Sequence, residues 1–199
     1  SIGVSHTRGR FILPEILPTY QSEFPGIELH LIEGNSSELA NDLLHGTIDL
    51  MIDLLPFTAE NVDTVPICQE EILLVVPDEV LKKAHPDGWD ELRKKMEQGA
   101  DVRLLENCHF VLLNKGNRVR TIADEIFEDA QVTPHIVLET ENIETALALS
   151  VKGMGITFYP RMFMSPDHAA NTNKNPLTHQ TGLNLYPLNY SRAHGTLGL

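Results

Sequence analysis

The sequence predicts an α/β fold, on three observations. Short apolar runs alternate with stretches whose apolar residues recur at spacings of three and four. Glycine, proline and Asn/Ser clusters punctuate the joins between them. No apolar run approaches the length of a membrane span. Repeated strand-then-helix units of this kind build open, mostly parallel sheets.

Taken in order, Ile2–Ser5 is a short apolar run that reads as a strand. A helical stripe follows through Leu13, Ile16, Leu17, Tyr20 and Phe24. Pro14 suits a first helical turn, whereas Pro18 predicts a kink or a late start, because proline has no N–H to donate. Pro25-Gly26 ends the helix, and Ile27, Leu29 and Leu31 alternate with polar residues as a half-buried strand does. Asn35-Ser36-Ser37-Glu38 has the capping-box spacing, with Leu39, Leu43 and Leu44 on one face behind it and Gly46 as the stop. Ile48–Ile52 is the next strand, and the continuous apolar run Ile72–Val76 predicts a strand covered on both faces.

The middle of the chain repeats the pattern. Trp89, Leu92 and Met96 form a short helix closed by Gly99, and Phe110–Leu113 is a buried strand. Val119, Ile122, Ala123, Ile126, Phe127 and Ala130 give the cleanest helical stripe. Ile136–Leu138 is a strand, and Asn142 caps a helix through Ile143, Ala146, Leu147 and Val151 that Gly153 ends. Ile156–Tyr159 is a strand stopped by Pro160. Residues 165–182 read as a polar loop, and Leu183–Leu188 is the last clear strand. Two strand–helix series, over 1–76 and 106–160, suggest two lobes of one design without a sequence-level repeat.

Composition narrows the function classes. The 199 residues carry 15 basic against 28 acidic side chains, a formal net charge of −13. Duplex binding and attachment to an anionic membrane both need clustered Lys and Arg, so both are disfavoured. Cys68 and Cys108 are too few and too far apart for a disulfide framework; they read as ordinary thiols in a reducing, cytoplasmic compartment. No signal peptide is visible, and Ser1 leads almost directly into a strand, as in a piece of a longer protein or a cleaved mature form.

In open α/β sheets ligands sit beyond the carboxyl ends of the strands, where helix N-termini present unpaired N–H groups. The loops expected there are Ser5-His6-Thr7-Arg8, Gly34-Asn35-Ser36-Ser37, Asn114-Lys115-Gly116-Asn117-Arg118 and Thr140-Glu141-Asn142. Singly, each is an ordinary set of caps and turn residues. Together they bring hydroxyls, amides and three cations to one expected cleft, a donor set suited to a carboxylate or phosphate. The candidate ligand-binding residues are Ser5, His6, Thr7, Arg8, Asn35, Ser36, Lys115, Asn117, Arg118 and Asn142, with Tyr159 at the end of a neighbouring strand. No P-loop, nucleophile elbow or His-Glu-x-x-His is present, so no enzyme, metal or cofactor is expected. Asp49 and Asp53 share a strand face and read as strand-end charge rather than an acid/base pair.

A longer pattern runs through these pieces. It comprises Ile2-Gly3-Val4-Ser5 before Leu13-Pro14, Phe24-Pro25-Gly26-Ile27-Glu28-Leu29, Glu33-Gly34 with Leu39 and Leu43, and Gly46-Thr47-Ile48-Asp49-Leu50-Met51-Ile52. It continues through Leu73–Pro77, Phe110-Val111-Leu112, Lys115-Gly116-Asn117-Arg118, Glu144-Thr145-Ala146-Leu147 and Gly153-Met154-Gly155-Ile156 to Pro160. In order and spacing these resemble the effector-binding domain of LysR-type transcriptional regulators, over nearly the whole chain. The resemblance implies a two-lobed, type 2 periplasmic-binding-protein-like fold, with lobe I from 1–76 plus 186–199 and lobe II from 77–185. It implies a small effector in the interlobe cleft, with pocket hydroxyls on Ser5 and Thr7 and a second-lobe ligand loop on Lys115–Arg118. It further implies a homodimer, and DNA binding only through an N-terminal helix-turn-helix that this chain lacks. The family's final helix would follow Leu199. A transporter's solute-binding protein has the same fold and is the alternative.

Overall fold

The computed structural model describes residues 1–57, 61–164 and 182–199. Two compact units emerge. Unit 1 comprises Ser1–Gln69, Gly116–Arg118 and Gly195–Leu199; unit 2 comprises Glu70–Lys115 and Val119–His194. Residues 70–76 and 186–194 thus fall in unit 2, where the lobe boundaries expected from the sequence differ. The reason is pairing: Leu73–Pro77 and Leu183–Pro187 hydrogen-bond one another, and Asn189 returns to Ala100.

In unit 1, β1 (Ile2–Val4) lies between β2 (Leu31–Glu33) and β3 (Leu50–Leu55), parallel to both, with Ile2 level with Leu31 and Leu50. Helix α1 (His6–Glu23) leads from β1 to β2, and α2 (Ser36–Leu44) from β2 to β3. Leu39 of α2 packs with Ile48 and Met51. The far half of β3 pairs antiparallel with β9 (His194–Gly198), a strand the sequence reading missed. Two glycines and a histidine in its five residues hide its alternation.

α1 corrects the expectation that its prolines mark a start. It begins at His6 and carries Pro14 and Pro18 inside it. The two prolines stand four residues apart on the exposed face, so the carbonyls of Arg10 and Pro14, which lose their helical N–H partners, lie on the side that water reaches. The second strand is also shorter and later than expected. The strand is Leu31–Glu33, with Ile27 and Leu31 45% and 47% exposed and Ile32 turned inward. β3 likewise starts at Leu50 rather than Ile48.

In unit 2, β4 (Pro66–Pro77, entering from unit 1) is buried from Ile72 to Val76, as the apolar run predicts. Its neighbours β7 (Thr157–Pro160) and β8 (Leu183–Pro187) are both antiparallel to it. β5 (His109–Leu113) and β6 (His135–Thr140) run parallel, with a bulge after Phe110. Helix α3 (Asp78–Ala84), unforeseen because it has only two core residues, Val80 and Leu81, precedes α4 (Trp89–Met96). Helix α5 (Arg118–Ala130) buries Val119, Ile122, Ala123, Ile126 and Phe127, and α6 (Ile143–Val151) buries Ile143, Ala146 and Leu147. Phe110, Phe127 and Phe158 stack edge to face, centroids 5.1 and 5.6 Å apart, at the centre of this core. The polar loop expected over 165–182 lies, but for Gly182, outside the described residues.

Candidate functional site

β1 hands the chain directly to α1, and Ser5 is the N-cap, with extended φ −69° and ψ 145°. Its hydroxyl makes no capping hydrogen bond, and no acidic residue stands in the first turn. The first intrahelical bond runs from the Gly9 N–H to the Ser5 carbonyl at 2.8 Å. The N–H groups of His6, Thr7 and Arg8 therefore precede the helical ladder, at the positive end of an 18-residue helix. This is the arrangement that receives an anion. His6 itself points outward, its Nδ1 3.2 Å from a Glu33 carboxylate oxygen.

Arg8 is placed differently from the other candidates. Its side chain is 4% exposed, and Nη1 donates to Asp53 Oδ1 at 2.6 Å. The guanidinium thus has a carboxylate counter-ion of its own, and Asp53, read as strand-end charge, is half of a buried pair. A single acid in the otherwise apolar Leu50–Leu55 strand was the signal that could have found it. Asp49 accepts from the Ser1 hydroxyl at 2.8 Å.

The second loop forms a complete capping box. Asn35 Oδ1 accepts from the Glu38 N–H at 2.9 Å, and the Asn35 N–H donates to the Glu38 carboxylate at 3.3 Å. Ser36 opens α2. Ser37 donates twice to the Gly116 carbonyl, from its N–H at 3.1 Å and its hydroxyl at 3.2 Å. Gly116 sits at φ +94°, and a Cβ there would lie 3.4 Å from the Ser37 hydroxyl and 3.5 Å from Asn35 Oδ1. Glycine permits both the left-handed backbone and this close approach. Gly116, Asn117 and Arg118 thereby belong to unit 1. Arg118 Nε is buried without a hydrogen-bond partner among the described residues. Unit 1 thus collects three of the four candidate loops in whole or in part.

In unit 2, Lys115 is exposed. The Asn114 N–H donates to the Thr140 carbonyl at 2.9 Å, which ties the carboxyl ends of β5 and β6 together. Beneath them lies Arg120, 5% exposed, which donates to the Leu113 carbonyl at 2.7 Å, to Asp124 at 2.7 Å and to Glu139. Sequence reasoning passed over Arg120; its one signal was Asp124 four residues on. Asn142 caps α6, accepting from the Glu144 and Thr145 N–H groups at 2.8 and 3.2 Å. The Tyr159 hydroxyl donates to Glu144 at 2.7 Å from a side chain only 2% exposed. Both residues therefore have structural work at the start of α6.

None of the candidate residues lines the cavity of about 410 Å³ in unit 1, which is walled by Leu43, Met51, Leu54, Phe57 and Val62. Asp49, Asp53 and Asp63 border it and, among the described residues, no cationic side chain does, so its chemistry opposes an anion.

Comparison with known proteins identifies the family and the fold. The family model described as LysR substrate binding domain matches residues 1–186. The chain is 27% identical over 168 residues to the uncharacterized HTH-type transcriptional regulator YcgK of Bacillus subtilis (strain 168), covering 81% of this chain and 52% of that protein. It spans about half the length of the curated relatives it matches. Among solved structures, the CcmR regulatory domain of Synechocystis PCC6803 in complex with 2-PG superposes with a TM-score of 0.74 at 17% identity, covering 99% of this chain and 84% of that one. The effector binding domain of QuiR in complex with shikimate gives 0.72 at 16% identity, covering 99% and 83%. The fold is that of these effector-binding domains, mixed α/β and of the type 2 periplasmic-binding-protein kind.

Proposed function

We propose that this chain, which belongs to the LysR substrate binding domain family, is the sensing part of a transcriptional regulator and takes a small anionic metabolite as its effector. The observation that carries the anionic preference is the N-terminus of α1, where Ser5 leaves its hydroxyl unused as a cap and no acid occupies the first turn. Arg118, with its buried and unpartnered Nε in the same unit, supports it. Shikimate, bound by the QuiR domain, is itself a carboxylate. Ser5, His6, Thr7, Asn35, Ser36, Lys115, Asn117 and Arg118 are the proposed contacts. In this reading Arg8, Asn142 and Tyr159 act on the ligand through the elements they brace.

The proposed mechanism is a population shift: an effector held by both lobes favours a closed arrangement, and only its differential affinity for the two arrangements drives the change. A helix-turn-helix domain elsewhere in the full regulator would read that change on DNA. The chain itself performs no chemistry in this reading and works in the cytoplasm as a homodimer. Ile16, Tyr20 and Phe24, 44%, 36% and 48% exposed along one side of α1, supply apolar surface for self-association. The family match favours the regulator over a transporter's solute-binding protein.

Calorimetry of the chain against a panel of small carboxylates, phosphate and sulfate tests the reading. At least one anion binds, and at a hundredfold excess over Kd it stabilises the fold by about 2.7 kcal/mol. Arg118→Gln removes both effects. Silence across the panel, or preference for cations, overturns the anionic reading.

A further inference from the structure

His109 and His135 open the two parallel strands β5 and β6 and are register partners. Their side chains therefore leave the same face of the sheet side by side. The rings stand edge to face, with centroids 4.6 Å apart and planes inclined at 74°, and both residues are exposed. On the other side of β5 the Ile156 N–H donates to the His109 carbonyl at 2.8 Å, and a Cβ at Gly155 would stand 3.0 Å from that carbonyl oxygen. The pair sits at the amino ends of its strands, the opposite end of β5 from Lys115.

We propose that His109 and His135 form a two-imidazole site for a divalent transition-metal ion of the Cu2+ or Ni2+ type. Metal–nitrogen bonds of about 2.0–2.1 Å put the centroids of two cis imidazoles on one ion roughly 4.5–5.2 Å apart, the short end at an N–metal–N angle of about 90° and the long end at the tetrahedral angle. The observed 4.6 Å falls at the right-angled end. That spacing, which the pairing of neighbouring strands supplies, suits the tetragonal geometry of Cu2+ and Ni2+. Convergence of the two nitrogens needs only rotation of exposed rings about χ2, a broad torsion in histidine. The chain's charge of −13 draws cations to its surface. Among the described residues no group of three or more His, Cys, Asp and Glu side chains converges on one point, so water completes the coordination. A bound ion bridges β5 to β6 and braces the strand pair that packs Phe110 into the core of unit 2.

Titration of the untagged chain with Ni2+, in competition with a chromophoric chelator at about pH 7.5, tests the site. One equivalent binds, and paramagnetic broadening of amide signals centres on residues 109 and 135. His109→Ala and His135→Ala each weaken binding at least tenfold and abolish the metal-dependent rise in melting temperature, while His30→Ala changes neither. Unchanged affinity in either strand variant, equal loss in His30→Ala, or no binding by the wild type overturns the proposal and leaves the pair as an aromatic contact alone.

Discussion

Asp101 gathers donors from two side chains, Arg103 and Tyr190. Arg103 approaches it through Nε at 2.9 Å and Nη2 at 2.5 Å, and the Tyr190 hydroxyl donates at 2.8 Å. These hydrogen bonds, Arg103 first, hold its pKa at about 2, below the ordinary 3.8. Burial pushes the Tyr190 phenol in the other direction, to about 12. Because the folded value is depressed, the stabilisation is complete above about 3.8 and is lost as pH falls toward about 2. A carboxyl-detected NMR titration of Arg103→Gln should show the Asp101 midpoint rising toward 3.8, with acid unfolding starting at correspondingly higher pH. An unmoved midpoint would show that Arg103 is not the cause. The Arg8–Asp53 pair is the costlier one to break, since both side chains are nearly enclosed, at 4% and 14% exposure. Asp53→Ala should destabilise the fold by about 1.5–3 kcal/mol in urea, because it removes a charge-assisted hydrogen bond from a buried guanidinium. The double variant Arg8→Met/Asp53→Leu should recover most of that loss.

Elements were legible in the sequence where local chemistry alone decides them. The α2 capping box, the α5 stripe and the Asn142 cap all stand where spacing placed them, because each rests on interactions within four residues. The misses share the opposite cause. The α1 start, the short β2 and the whole of β9 are fixed by pairing or packing with distant segments, which no local window records. The candidate site divides the same way. Helix-start loops were readable, but the partners Asp53 and Glu139, which decide whether an arginine serves a ligand or the fold, come from other elements. The capping box also separates a structural from a ligand role at Asn35. Asn35→Ala should cost about 1 kcal/mol of stability. Asn35→Asp keeps the cap and should leave the melting temperature nearly unchanged, yet weaken anion binding because it adds a negative charge beside the proposed ligand. Equal anion affinity in Asn35→Asp would remove Asn35 from the site. Gly99 makes a similar element-level case, for packing alone. It lies at φ +128°, and a Cβ there would stand 1.8 Å from Asn189 Oδ1. Asn189 meanwhile donates to the Gly99 carbonyl at 3.0 Å. Gly99→Ala should therefore lower stability by about 1–3 kcal/mol, read by denaturant unfolding.

For the whole molecule, charge decides what this chain does with DNA. Regulators of this family act on DNA, yet 28 acidic side chains outnumber 15 basic ones here. The structure sharpens that imbalance, because Arg8, Arg93, Lys94, Arg103, Arg120, Arg161 and Arg192 each already face a carboxylate. A cation held by its own carboxylate has little charge left to displace counterions from phosphates, and counterion release is what drives sequence-independent binding. The 199-residue chain should therefore leave duplex DNA unretarded in gel-shift experiments at about 50 mM salt, the condition that most favours non-specific association. Saturation with whichever anion binds should not change this, since an anion adds negative charge. Retardation that fades with rising salt would instead reveal a basic surface, and would move the DNA-reading role into this chain.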